Sequence, residues 1–185
     1  ELCEKTRIHP LIELGISPRA LMKRVYESAV SYARTFSTAS ESLLFMGATG
    51  LGKTLLSGCI ARAVADRGYS VCYVSAGKLF SDFETEKFRL KEDGALTGEY
   101  LQTDLLIIDD LGTEMTTQFT VSALYQIVNG RLLSGKPTIV STNLPDTELE
   151  ARYSAQIASR LLGAYTLYQF CGTDVRLLRK MESRG

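Results

Sequence analysis

The octapeptide Gly47-Ala48-Thr49-Gly50-Leu51-Gly52-Lys53-Thr54 constrains this chain more than any other feature. It matches Gly-x-x-x-x-Gly-Lys-[Ser/Thr] at every fixed position. The segment before it, Ser42–Gly47 (SLLFMG), is short and apolar, as a buried strand is. The segment after it, Thr54–Arg67, reads as a helix closed by Gly68. A strand, a glycine-rich loop and a helix in that order let backbone N–H groups converge at a helix N-terminus, where a phosphate binds. Gly47, Gly50 and Gly52 let the backbone wrap the anion, and Ala48, Thr49, Leu51 and Leu55 complete the cradle. Lys53 would reach the β and γ oxygens of a nucleotide, and the Thr54 hydroxyl would ligate Mg²⁺.

A second element fits the first. Leu105-Leu106-Ile107-Ile108-Asp109-Asp110 is an apolar run that ends in carboxylates. In α/β sheets ligands sit at the carboxyl ends of strands, so Asp109 is placed to face Thr54 and share the metal. Asp110 is the candidate general base that orients an attacking water, with Glu114 as its rival. Ser141-Thr142-Asn143 closes a further strand, and its polar end can sense the γ-phosphate; Asn143 is the first choice and Thr142 the second. Arg160, in Ser159-Arg160-Leu161, is a candidate arginine finger for a neighbouring subunit, with Arg152 as the alternative. Arg176 either approaches nucleotide from the C-terminal side or pairs locally with Asp174.

Around these residues helical and strand-like segments alternate. Ser17-Pro18 opens a helix whose apolar stripe is Leu21, Met22, Val25, Tyr26, Ala29, Val30 and Ala33. Ser70–Ala76, Asp104–Asp110, Pro137–Asn143 and Thr166–Gly172 read as strands; Lys78–Lys91, Gly94–Gln102, Thr117–Ser134 and Ser154–Leu162 read as helices, the last stopped by Gly163. Short apolar strands separated by helices indicate a parallel sheet covered on both faces. Two parts are expected: a helical extension over 1–40 and the nucleotide-binding domain over 41–185.

Composition narrows the class. Lys+Arg and Asp+Glu are both 21 in 185 residues, so a strongly basic nucleic-acid binder is excluded at the level of the whole chain. The balance hides a pattern, because residues 1–40 carry a net +2, residues 41–150 a net −6 and residues 151–185 a net +4. That asymmetry leaves room for head-to-tail stacking of subunits and for a local basic track. No apolar run approaches the ~20 residues of a membrane span, and the N-terminus has no signal-peptide core. The four cysteines (Cys3, Cys59, Cys72, Cys171) form no CxxC pair, so buried reduced thiols and a cytoplasmic setting are expected. The sole histidine, His9, has no local partners for a metal site. The chain begins at Glu1 without an initiator Met and is expected to be a fragment or a processed piece.

The loop GATGLGKT, the strand LLIIDDLG, the segment STN and the helix containing SRL occur in the order of AAA+ ATPases. With the run from TDLLIIDDLGTE through FTVSALYQIVNGRL to KPTIVSTNL, the chain resembles the bacterial helicase loaders of the DnaC/DnaI type, a family that includes the IstB-type transposition helpers. The resemblance covers roughly residues 17–179. It implies a P-loop NTPase fold with a five-stranded parallel sheet in the order 5-1-4-3-2, ATP/ADP and Mg²⁺ as ligands, and self-assembly into a ring or spiral. It also implies a DnaB-type replicative helicase as partner and its delivery onto single-stranded DNA.

By the same resemblance Gly47, Gly50, Gly52, Lys53 and Thr54 are Walker A, Asp109 and Asp110 Walker B, Asn143 sensor 1 and Arg160 the finger. The chain departs from the family in three places. Asp110 stands where many relatives have Glu, which favours slow turnover or an ATP-switched adaptor. About a dozen residues follow the fifth strand, so the helical lid is expected to be reduced or absent. The N-terminal domain that grips the helicase in these loaders is also expected to be missing. In related initiators an extra helix between strands two and three contacts DNA; here that stretch, residues 77–103, mixes Lys78, Lys87, Arg89 and Lys91 with Asp82, Glu84, Glu86, Glu92 and Asp93, and reads as a solvated face with Phe80, Phe83 and Phe88 as core.

Overall fold

The computed structural model describes residues 17–88 and 95–174. His9 and Cys3, Arg89, Lys91, Glu92 and Asp93, and Arg176 with the expected lid lie outside them.

The first helix, α1 (Pro18–Thr35), begins where sequence places it, with the Ser17 hydroxyl accepting from the Ala20 N–H at 3.3 Å. There follow β1 (Leu43–Met46), α2 (Lys53–Ala65), β2 (Val71–Ser75), α3 (Ala76–Phe88), α4 (Ala95–Gln102) and β3 (Leu105–Leu111). The chain continues through α5 (Gln118–Leu133), β4 (Thr138–Thr142), α6 (Asp146–Tyr153), α7 (Ala155–Ala164) and β5 (Thr166–Gln169). The strands form one sheet in the order β2-β3-β4-β1-β5 with every pair parallel, the order the resemblance implied.

Each central strand is apolar on both faces because each face is covered. On one face Leu44, Leu106, Ile108 and Val140 pack under α3, α5, α6 and α7. On the other, Leu43, Phe45, Leu105, Ile107 and Ile139 pack with Ile60 and Val64 of α2 and with Ala29, Tyr32 and Ala33 of α1. Burying one such Leu or Ile contributes about 1.5–3 kcal/mol. Residues 17–40, expected as an appended extension, thus contribute to the same core as the sheet.

Two local readings change. Helix α6 carries no signal in the sequence reading because DTELEARY buries only Leu149 and Tyr153. Its first turn holds Asp146 and Glu148, which favour the positive end of the helix dipole. Helix α7 runs through Gly163 to Ala164; an added Cβ at Gly163 meets open space, so nothing there forces a stop. The cysteines also differ from expectation, since Cys59 falls on the outer face of α2 and is exposed while Cys72 and Cys171 are half-buried. All three are free thiols. Among the described residues no helix is long and apolar enough to cross a membrane.

Residues 77–103 form a tied pair of helices. Asp82, buried, accepts from the Tyr100 hydroxyl at 2.5 Å and from Lys78. Glu86 receives the Thr97 N–H at 3.1 Å, satisfying a donor that the start of α4 leaves open. Phe80 and Phe83 are core, as the sequence implied.

Candidate nucleotide site

The loop between β1 and α2 has the shape its glycines predict. Gly47 has φ +147°, and a Cβ there would stand 2.4 Å from the Phe170 carbonyl oxygen at the end of β5. Gly50 has φ +78°, and a Cβ there would collide with the Asp174 carboxyl group. Any larger residue at either position would push the loop off its neighbours. Helix α2 starts at Lys53 with no side-chain cap and no acidic residue in its first turn, so its leading N–H groups remain free for an anion.

Lys53 is 5 % exposed, and its ammonium donates to the carbonyls of Gly47 at 2.5 Å and Ala48 at 2.8 Å. These bonds hold the side chain folded over the loop. Burial pulls its pKa down, and the Asp110 and Asp109 carboxylates pull the other way. Ala48, Thr49, Thr54 and Leu55 are exposed at the mouth, whereas Leu51 turns inward to the core beside Phe170.

Asp109 and Asp110 are separated by a β-bulge. Ile108 pairs with Val140 and Leu111 with Thr142, so Asp109 and Asp110 together oppose Ser141 alone. The bulge puts Asp110 at φ +56°, a left-handed conformation that Asp tolerates better than most residues. Its effect is to keep Asp109 buried while Asp110 turns out to solvent. Ser141, fully buried, fills the bulge: its hydroxyl accepts the freed Asp110 N–H at 3.0 Å and donates to Asp109 Oδ1 at 2.5 Å. Thr54 donates to the same oxygen at 3.3 Å across 55 residues of sequence. The Tyr73 hydroxyl on β2 donates to Asp109 Oδ2 at 2.8 Å and lies 3.5 Å from the Thr54 carbonyl. Burial and this bond together raise the Tyr73 pKa, so the phenol remains a donor.

A metal fits this donor set. Mg²⁺ takes hard oxygen ligands and is bound through one or two protein groups plus phosphate and water. The Thr54 hydroxyl and the Asp109 carboxylate, adjacent at the loop's edge, supply such oxygens. Among the described residues no group of three or more His, Cys, Asp or Glu could hold a metal by itself.

The remaining candidates separate. Asn143 is exposed and lines a cavity of about 260 Å³ with Gly47, Ala48 and Leu162, next to the loop. Thr142 instead is buried, donating to the Leu111 carbonyl at 2.6 Å and accepting from the Leu144 N–H at 3.1 Å. Glu114 accepts from the Gly112 N–H at 3.1 Å and from the Tyr153 hydroxyl, which ties the β3 exit to α6. Arg152 holds Thr116 at 2.7 Å and the Glu114 carbonyl. Arg160, on α7, packs against α5: Nε donates to Asn129 at 3.0 Å, and the guanidinium sits 4.8 Å above the Tyr125 ring.

Ser141 and Tyr73 were not among the sequence candidates. Ser141 has its importance only through the bulge, which no local pattern marks. Tyr73 reaches Asp109 across paired strands 36 residues apart in sequence.

Comparison with known proteins agrees with this geometry. An ATP-binding protein of an insertion sequence in Mycobacterium tuberculosis is 30% identical over 105 residues, 57% of this chain and 41% of that protein. The replicative helicase loader DnaC of Escherichia coli is 27% identical over 135 residues, 72% of this chain and 55% of the loader. The chain therefore spans about half the length of the curated relatives it matches. A crystal structure of the DnaC helicase loader superposes with a TM-score of 0.75 at 20% identity, covering 82% of this chain and 90% of that one. The fold is that of the AAA+ P-loop ATPases. A family model described as IstB-like ATP binding protein matches residues 20–167, most of the chain, and the chain belongs to that family.

Proposed function

We propose that this chain is the ATP-hydrolysing motor of a protein that delivers a DnaB-type replicative helicase onto single-stranded DNA. The domain of residues 41–185, with α1 packed on it, binds the nucleotide. The observation that carries the enzymatic part is the Thr54–Asp109 contact, which joins the phosphate loop to the strand-end acid. Similarity to the E. coli helicase loader supports the choice of partner.

Lys53, folded over the loop by two carbonyls, has one ammonium proton left for phosphate and meets further oxygens by exchanging those bonds. Held by Thr54 and Asp109, Mg²⁺ would offset charge on the phosphate oxygens. Asp110, exposed at the bulge, and Asn143, at the loop's flank, orient the attacking water. Arg160 is assigned to the site of a neighbouring copy, released there from its contacts with Asn129 and Tyr125 of α5, and turnover is slow until copies assemble in a ring or spiral. The basic 151–185 segment of one copy meets the acidic 41–150 body of the next.

A second reading has its own support: the insertion-sequence relative favours a helper ATPase for a DNA transposase. Co-elution of the full-length protein with its host's replicative helicase, with and without ATP, separates the two. We expect ATP-strengthened co-elution that Lys53→Ala abolishes. Failure in both nucleotide states moves the assignment to the transposition partner, and absence of ATP binding by the wild type overturns both readings.

A further inference from the structure

Asp109 is gripped from three sides. Ser141 on β4 and Thr54 on α2 donate to Oδ1, and Tyr73 on β2 donates to Oδ2. Donors on both oxygens fix the rotation of the carboxylate, which is otherwise broad about its last torsion. Among the described residues Tyr73 is the donor on Oδ2, and its hydroxyl also lies against the Thr54 backbone. One phenol thus touches both residues placed to hold a cation. The pleat explains the reach: Tyr73 pairs with Ile107, and Asp109 lies two residues further along the same face of β3. Tyr73 is 39 % exposed, so water would serve its hydroxyl equally well if folding were the only demand on it.

We propose that Tyr73 is a positioning residue for the cation, setting the orientation of Asp109 relative to Thr54 without touching the nucleotide. The inference rests on the nucleotide-binding reading above. Hydrogen-bond partners of metal-holding groups set the direction of their lone pairs, and losing one lowers metal affinity about 10–100-fold. Without the phenol, Asp109 turns about its Ser141 bond and Oδ2 drifts from the cation's side of the loop.

The test is binding of a fluorescent ATP analogue to the wild type and to Tyr73→Phe, in EDTA and across a Mg²⁺ titration. We expect equal affinity in EDTA. We also expect the Mg²⁺ concentration for the half-maximal response to rise about tenfold in the variant. Superimposable Mg²⁺ curves overturn the positioning role and leave the nucleotide site standing. Weakened binding already in EDTA marks Tyr73 as structural and also overturns it. A wild type that binds no nucleotide in EDTA or Mg²⁺ overturns the nucleotide reading itself.

Discussion

Arg131 offers the sharpest test of how the fold is held, because it is a charged side chain with no accessible surface. Its guanidinium donates to the Thr138 hydroxyl at 2.7 Å and to the carbonyls of Pro137 at 2.6 Å, Tyr100 at 2.8 Å and Thr103 at 3.0 Å. Those carbonyls are the open end of α4 and the entry to β4, groups that water cannot reach. Arg131→Ala leaves the three carbonyls stranded, at about 1–3 kcal/mol each. It also loses the buried stem, at about 0.8 kcal/mol per methylene. Against this stands the relief of desolvation that now pushes the Arg131 pKa down to about 10, worth about 3 kcal/mol.

The balance is a loss of about 4 kcal/mol, a large part of the ~5–15 kcal/mol that stabilises a typical domain. Urea unfolding followed by circular dichroism reads this directly, and the melting midpoint should fall by roughly 10 °C. Arg131→Met, which keeps most of the stem, should lose about 2 kcal/mol less. A loss under about 1 kcal/mol for the alanine variant, the range of an unremarkable substitution, would refute the view that this cation holds α4 against the sheet.

Arg160→Ala should spare nucleotide binding and lower assembled-state hydrolysis on the order of 10³-fold; unchanged turnover rejects the finger assignment. Ser154, between α6 and α7, has φ 106° and ψ 154°, a region that suits glycine. Ser154→Gly should therefore stabilise by about 1 kcal/mol in urea unfolding, and destabilisation would contradict a strained junction. The Ser70 N–H and hydroxyl hold the Asp104 carboxyl below the usual carboxylate range. A depressed folded-state pKa gives stability that is present above the unfolded value and lost as pH falls through the folded one. Acid unfolding curves of Asp104→Ala should thus lose part of the wild type's slope below about pH 4, and identical slopes would remove Asp104 from the account.

Much of the molecule was legible because its signals are local. Ser17-Pro18 opening α1, the apolar runs of the five strands and the glycines at Gly47 and Gly50 each act through a few neighbouring dihedrals. Helix α6 was missed for the same reason, since two apolar residues in eight leave no periodicity to read. Thr142 and Asn143 are adjacent polar residues at one strand end. Only the sheet sends the first into the core against Leu111 and the second to the loop's flank.

The sequence by itself determined the phosphate loop, the order of elements and the identity of the acids at the end of β3, because spacing and glycine placement are properties of a short stretch of chain. Tertiary structure alone decided how those acids are used. The bulge opposite Ser141 splits Asp109 from Asp110, Tyr73 arrives from the edge strand, and Arg131 closes α4 from below. These groups meet across about 30 residues or more of chain. Their partners are set by strand register and burial, and a buried polar group takes whichever partner the packing brings within reach.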